Sequence, residues 1–241
     1  VGKCIAEWII DGEPSIDVWA MDVARFGDYA SPQYGTIKSS ENYERRFIMT
    51  FPNETLPKGR KQKTTALYDR FVNQGAVMGD SFGLENVLWF ANNKEDAHEE
   101  PTIKRSRSHD YVSREVINVR ENVGLIEVAN FSKHEFKGTD ARKFLDHIMA
   151  GKLPKPGRIS LSPMLSYRGK LCGDLTVACL DENEFMVFGS GAAQEMHRRW
   201  FESHLDKFDV NYKNRSDEFH GISIAGPNSR KVLEKIVRDD V

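Results

Sequence analysis

The sequence predicts an α+β chain: a small helical and irregular N-terminal unit, then a larger unit with helices packed on an antiparallel or mixed sheet. Short apolar-alternating runs of strand length recur in the second half, at 126–136, 157–165, 175–180, 184–188 and 219–225. A strand–glycine–helix unit is used twice. Gly138-Thr-Asp-Ala-Arg-Lys-Phe-Leu-Asp-His-Ile148 parallels Gly226-Pro-Asn-Ser-Arg-Lys-Val-Leu-Glu-Lys-Ile236, and each follows an extended run. Such a mixture of strands and helices, without strict alternation of the two, describes helices packed against a sheet. Two copies are too few for a solenoid, which needs at least three.

The N-terminal unit is read in order. Cys4 to Ile10 form the end of a helix, closed by the turn signal Asp11-Gly12-Glu13-Pro14. Ser39 to Phe47 and Thr64 to Asn73 are expected as short amphipathic helices, the second with Leu67, Phe71 and Val72 at helical spacing. Aromatic residues are dense here, and the polar, acidic stretch from Asn92 to Pro101 marks a boundary. In the second unit, Gly followed by Thr or Pro and then Asp or Asn is a helix start. Phe144, Leu145 and Ile148, and equally Val232, Leu233 and Ile236, then form one apolar face. Leu175 to Leu180 is a nearly all-apolar strand, Glu184 to Phe188 another, and Glu195 to Leu205 a helix.

Composition narrows the class. The chain has 241 residues, 39% apolar and 29% charged, enough for one large domain or two ordinary ones. A net charge of -2 gives no electrostatic reason to expect nucleic acid as a partner. No apolar run approaches the roughly 20 residues that span a bilayer. Cys4, Cys172 and Cys179 lack C-x-x-C spacing, which argues against a zinc ribbon or disulfide framework and fits a reducing compartment. The first residues contain no Met and the last follow a helical pattern without a stop signal, so the chain is expected to be an internal fragment.

Asp174 is the candidate for chemistry. At the mouth of the apolar strand Leu175–Leu180 an acid has few solvated neighbours, and a raised pKa there suits proton handling on an amine or ring nitrogen. The competing reading is an Asp that caps a turn after Gly173. Other motifs carry less. Gly189-Ser190-Gly191 lacks the third glycine of a dinucleotide fingerprint and is better read as a tight strand-to-helix turn. His197 and His204 share a helix face but have no third ligand at metal spacing; surface histidines are expected, and no metal site. The basic runs Lys58–Lys63 and Lys104–Arg107 have no interleaved aromatics for base stacking and read as solvated loops.

These segments together resemble a known family. Gly2-Lys-Cys-Ile-Ala-Glu-Trp-Ile-Ile-Asp-Gly-Glu-Pro14 is similar to the end of the FAD domain of dimethylglycine and sarcosine dehydrogenases. Tyr68-Asp-Arg-Phe71, Gly75-Ala-Val-Met-Gly-Asp-Ser-Phe-Gly83 and Trp89-Phe90 resemble their central linking domain. Val119 to Lys133, Gly169 to Val177 and Ile224-Ala-Gly-Pro-Asn-Ser-Arg230 resemble the folate-binding domain shared with the glycine-cleavage aminomethyltransferase, the T-protein. The resemblance implies residues 1–14 as the end of an FAD-dependent domain, 15–105 as the linking domain, and 106–241 as the N-terminal part of the folate-binding domain. It implies a flavoenzyme that oxidises an N-methylated glycine and passes the one-carbon unit to tetrahydrofolate. An electron-transfer flavoprotein or oxygen would be the acceptor, in a mitochondrial matrix or bacterial cytoplasm.

By position, Asp174 matches the family's key acid, expected to lie buried beside the reacting folate nitrogens in a pocket roofed by apolar side chains. Thr176, on the same strand face, would lie beside the pterin, and Phe131, in place of a methionine, would cover it. Leu161, where many relatives carry Tyr, Phe188, and Gly189, where they carry Asn, complete the folate set; Gly2 is implied for FAD. Gly169-Lys170 replaces a Gly-Gly pair and Gly173 a preceding acid, departures that lean toward the dehydrogenase branch. The rivals are a folate-binding module without transferase chemistry, which could lose Asp174 freely, and a glycine-cleavage aminomethyltransferase. The latter would have no use for residues 2–90.

Overall fold

The structure is a computed structural model that describes residues 1–52 and 54–238. The first helix, α1 (Gly2–Asp11), ends where expected, with Gly12 in the left-handed region at φ 75°. The second, α2 (Pro32–Glu44), begins seven residues before the expected Ser39. Ser31 Oγ accepts from the Tyr34 N–H at 3.2 Å and Pro32 takes the first helical position, a start signal that outranks the weak apolar periodicity downstream. The expected helix from Thr64 is a single turn longer than the real one, α3 (Tyr68–Asn73).

A hairpin follows that periodicity did not reveal, β1 (Ala76–Ser81) and β2 (Leu84–Phe90). Its two-residue loop puts Phe82 at φ 52° and Gly83 at φ 80°. Hairpins favour such loops but usually announce them with Asn-Gly or Asp-Gly, not Phe-Gly. Trp89 is 2% exposed and forms a small core with Val77 and Ala91. Arg60, expected in a solvated basic loop, instead donates from Nε to the buried carboxylate of Glu85 at 2.8 Å and from a terminal nitrogen to the Met78 carbonyl at 3.0 Å. A further unforeseen helix, α4 (Ser108–Glu121), leads into the second unit.

That unit is built on five antiparallel strands. β4 (Phe131–Lys137) pairs with both β7 (Glu184–Ser190) and β8 (Asn211–Asn214), and β6 (Leu171–Asp181) lies between β5 (Arg158–Leu165) and β7. A separate two-stranded sheet joins β3 (Gly124–Glu127) to β9 (Ile222–Ala225). Helices α5 (Ala141–Ile148) and α6 (Gln194–Glu202) carry the core-facing residues that pack on one face of the larger sheet. Leu175 and Val177 of β6, Phe185 and Val187 of β7, Phe136 of β4, Phe144 and Leu145 of α5 and Phe201 of α6 are all fully buried. Phe136 meets Phe144 at 5.4 Å and Phe201 at 5.1 Å between ring centroids, the second pair edge-to-face. Each such large apolar side chain contributes about 1.5–3 kcal/mol by leaving water.

The repeated unit is repeated in three dimensions. β4 runs through Gly138 into α5, and β9 through Gly226 into α7 (Ser229–Ile236). The residues before the helices, Asp140 and Asn228, have φ/ψ of -106°/10° and -99°/9°, and those after, Met149 and Val237, have -98°/137° and -98°/142°. Both glycines adopt positive φ, 144° and 119°, and a Cβ would lie 2.3 Å from the Asp209 carbonyl oxygen in one case and 2.5 Å from that of Asn122 in the other. The copies differ in burial: α5 has four buried residues and α7 none.

Two histidines lie inside the main core. His134 is fully buried, and His197, expected at the surface, is 3% exposed. His197 sits on the sheet-facing side of α6, one turn before Phe201, so the helix face that buries the phenylalanine buries the imidazole too. His204, beyond the helix, is only partly buried. The His134 ring accepts or donates at Nδ1 with the Tyr212 hydroxyl at 2.9 Å, and His197 Nε2 lies 3.3 Å from the Cys172 carbonyl. Burial pushes the His134 imidazole down to about 3 and lowers that of His197.

Three outcomes are expected. Gly138→Ala should lower the free energy of unfolding measured in urea by about 2 kcal/mol or more, because the methyl meets backbone at a φ that L-residues avoid. Gly2→Ala, with open space around it, should be neutral within about 1 kcal/mol. Unfolded imidazoles titrate near 6.5 whereas the folded ones resist protonation, so the unfolded state binds more protons below that pH. Their contribution is therefore present above pH 6.5 and lost as pH falls toward 3. Urea unfolding between pH 6.5 and 4 should give a shallower slope in His134→Gln than in the parent, by up to about 1.4 kcal/mol per pH unit; equal slopes would contradict this.

Candidate functional site

The larger sheet has a second face, and strand alternation decides what it displays. In β6, Leu175, Val177 and Cys179 point into the core, so Asp174, Thr176 and Ala178 point the other way. Cross-strand register extends the row. Leu161 of β5 lies opposite Thr176, Thr176 opposite Phe188 of β7, and Phe188 opposite Lys133 of β4. In the neighbouring row Pro163 lies opposite Asp174, and Phe131 opposite Ser190. Phe131, Leu161, Asp174, Thr176 and Phe188, drawn from four strands, thus share one sheet face. Leu161 is 66% exposed and Phe131 49%, while Thr176 and Phe188 are half-buried.

Three expectations need correction. Asp174 is exposed, and it is the fourth residue of β6 rather than its first. Cys172 and Gly173 already belong to the strand, and the parity that buries Leu175 turns the acid outward, away from the apolar neighbours that the sequence suggested. Among the described residues no apolar roof stands over it. Of two clefts, one of about 130 Å³ borders the Phe131 end of this face, beside Asn130, Ser190 and Asp217, and one of about 260 Å³ lies beside Pro52 and Ile103. Gly189 lies on the opposite, core-facing side of the sheet. Its absent Cβ would meet Leu175 Cδ2 at 2.6 Å, His197 Nδ1 at 3.0 Å and Ser132 Oγ at 3.1 Å. Gly2 is an exposed residue at the start of α1 with nothing within 4 Å of its Cβ position.

Two lysines at the site carry no signal in the sequence pattern. Lys133 is 5% exposed on the same sheet face, its Nζ donating to the carbonyls of Ala129 at 3.0 Å and Phe131 at 2.7 Å. Burial lowers its affinity for a proton. A lysine at an outward strand position between an aromatic and an acid gave no periodicity signal. Lys170, at the head of β6, donates to the Pro14 and Ser15 carbonyls at 3.0 and 3.2 Å and lies 3.3 Å from Glu13. This lysine ties the segment after α1 to the β5–β6 turn.

The donor set suits a flat, partly apolar heterocycle: Leu161, Phe131 and Phe188 offer nonpolar surface, Thr176 a hydroxyl and Asp174 a carboxylate able to accept from ring N–H groups. The surroundings of Gly2 do not suit a flavin, since that glycine faces solvent with no packed neighbour. Among the described residues, no group of three or more His, Cys, Asp or Glu is placed to hold a metal ion, and no helix is long and apolar enough to cross a membrane. The strand-to-helix turn at Gly191 is as tight as its sequence implied: a Cβ there would lie 1.9 Å from the Asn130 carbonyl oxygen.

Comparison with known proteins identifies the family and the fold. Residues 67–241 match the family described as the GCVT N-terminal domain, and residues 11–65 match the FAD dependent oxidoreductase central domain. The chain is 34% identical over 245 residues to mitochondrial dimethylglycine dehydrogenase of Mus musculus, covering 100% of this chain and 28% of that protein. It is 25% identical over 287 residues to human mitochondrial sarcosine dehydrogenase, covering 100% and 31%. The chain thus spans less than a third of the length of these relatives. The aminomethyltransferase T structure of the Bartonella henselae glycine cleavage system superposes with a TM-score of 0.57 at 20% identity, over 72% of this chain and 43% of that one, and so shares its α+β fold. The chain belongs to the GCVT N-terminal domain family, preceded by the oxidoreductase central segment as in the dimethylglycine and sarcosine dehydrogenases.

Proposed function

We propose that this chain is the linking and one-carbon-transfer part of an FAD- and tetrahydrofolate-dependent oxidative demethylase of dimethylglycine or sarcosine. The observation that carries the reading is the convergence of Phe131, Leu161, Asp174, Thr176 and Phe188 on one open sheet face, from positions up to 57 residues apart (188 minus 131). Similarity to dimethylglycine dehydrogenase across the whole chain supports it. Residues 15–105 serve as the linking unit and 106–241 as the folate-binding unit. FAD is held by polypeptide outside this chain, and the walls facing the sheet come from there too.

In this reading the sheet is the floor of a folate site. Tetrahydrofolate, when bound, supplies two nucleophilic amines for the one-carbon unit. Leu161, Phe131 and Phe188 would offer apolar surface to the pterin and exclude water from that side. Thr176 Oγ1 orients a ring polar atom. An amine that attacks an electrophilic carbon gains positive charge and must lose a proton, so the Asp174 carboxylate stabilises that charge and accepts the proton. Enclosure of Asp174 by those outer walls would strengthen both effects by removing water.

The exposure of Asp174 in this chain favours one second reading, a folate-binding module without transfer chemistry. The two separate cleanly. In the intact enzyme, Asp174→Asn should slow methylene transfer to tetrahydrofolate by about a hundredfold or more while flavin reduction by the methylated amine changes little. Equal loss of both steps would refute the division of labour, and unchanged transfer would favour the module. Leu161→Asp should weaken folate binding by about tenfold or more without altering flavin reduction, because it places a charge on the apolar floor; titration of folate against both proteins checks this.

A further inference from the structure

The polar atoms inside the main core have more hydrogen-bonding capacity than the described residues satisfy. Ser132 Oγ, His134 Nε2 and His197 Nδ1 are buried and make no hydrogen bond to any described residue. An unpaired buried polar atom costs about 1–3 kcal/mol, so three in one place need a common partner. They are close together. Ser132 Oγ and His197 Nδ1 both lie about 3 Å from a single point, the position a Gly189 Cβ would take, and the His134 and His197 ring centroids are 6.4 Å apart.

Their proton states are complementary. The Cys172 carbonyl can only accept, so His197 Nε2, at 3.3 Å from it, carries the proton and Nδ1 is a bare acceptor. The Tyr212 hydroxyl, the stronger donor of its pair, donates to His134 Nδ1 at 2.9 Å, which leaves a proton on Nε2. One imidazole therefore presents a donor and the other an acceptor. They are too far apart to meet directly: a direct imidazole–imidazole bond holds centroids within about 5.2 Å, whereas one bridging oxygen extends the reach to about 6.8 Å.

We infer that Ser132, His134 and His197 form an internal binding site for one ordered water molecule. It accepts from His134 Nε2 and donates to His197 Nδ1 and Ser132 Oγ, three partners being the usual number for a buried water. The bridge completes a hydrogen-bonded line from the Tyr212 hydroxyl through both imidazoles to the Cys172 carbonyl, two residues before Asp174. Glycines at 189 and 173 let these groups close in on the sheet: a Cβ at 189 would lie 3.0 Å from His197 Nδ1 and 3.1 Å from Ser132 Oγ, and one at 173 would lie 2.9 Å from His197 Nε2. The inference is independent of any role for Asp174.

A crystal structure of the protein at a resolution that reveals ordered solvent tests the assignment. A water oxygen within hydrogen-bond distance of all three atoms is expected; a dry gap, or imidazoles in direct contact, would overturn it. Gly189→Ala should expel the water, and its retention in that variant would equally count against the site. Should the variant fail to fold, nitrogen-15 NMR of the parent decides. His197 should show an unprotonated Nδ1, His134 a protonated Nε2, and both a cross-peak to a slowly exchanging water. A protonated His197 Nδ1, or no water cross-peak, sinks the inference.

Discussion

The burial of Leu175 governs the rest of the molecule. A strand has two faces, and once this leucine is committed to the space between β6 and the helix that carries Phe201, every other residue of the strand is assigned. Val177 and Cys179 go in with it; Asp174 and Thr176 go out. A one-residue slip would bury the carboxylate and expose the leucine, at a cost no local contact could offset. Antiparallel pairing then passes that choice to β5, β7 and β4, which is how residues far apart in sequence arrive on a single surface.

The same constraint explains two glycines. Residues 173 and 189 lie on the inward side of neighbouring strands, and both face the imidazole of His197. A side chain at either position would displace the ring from the Cys172 carbonyl. The buried polar groups beneath β6 and the exposed acid above it are therefore opposite sides of one backbone segment, held by the same packing.

Much of this was legible in the residues, and what was not has physical causes. The paired strand–glycine–helix units were readable because both glycines answer a backbone clash, which leaves a residue signature independent of context. The C-terminus of α1 was readable because Gly12 takes the left-handed conformation that closes a helix. The outward set around Asp174 came from family resemblance, and alternation alone carried only Thr176 with it. The error over Asp174 was one of extent: with the strand begun at Leu175 the acid looked terminal, whereas pairing to Met164 and Pro163 carries the strand back past it. The burial of His197 leaves no such signature: its charged neighbours Arg198 and Arg199 advertise solvent, yet helical geometry turns the histidine to the buried side with Phe201. The β1–β2 hairpin was hidden by a Phe in a turn position that sequence rules reserve for Gly, Asn or Asp.

Lys170 has a mechanical consequence. Its ammonium group is bonded to two carbonyls just beyond α1, and Arg168 in the same turn lies 3.4 Å from Asp11 at the end of that helix. The head of β6 is thereby fastened to a segment 155 to 156 residues earlier in the chain. A displacement of that leading helix must either stretch these bonds or drag the turn with it, and the carboxylate four residues along moves as the tip of the same lever.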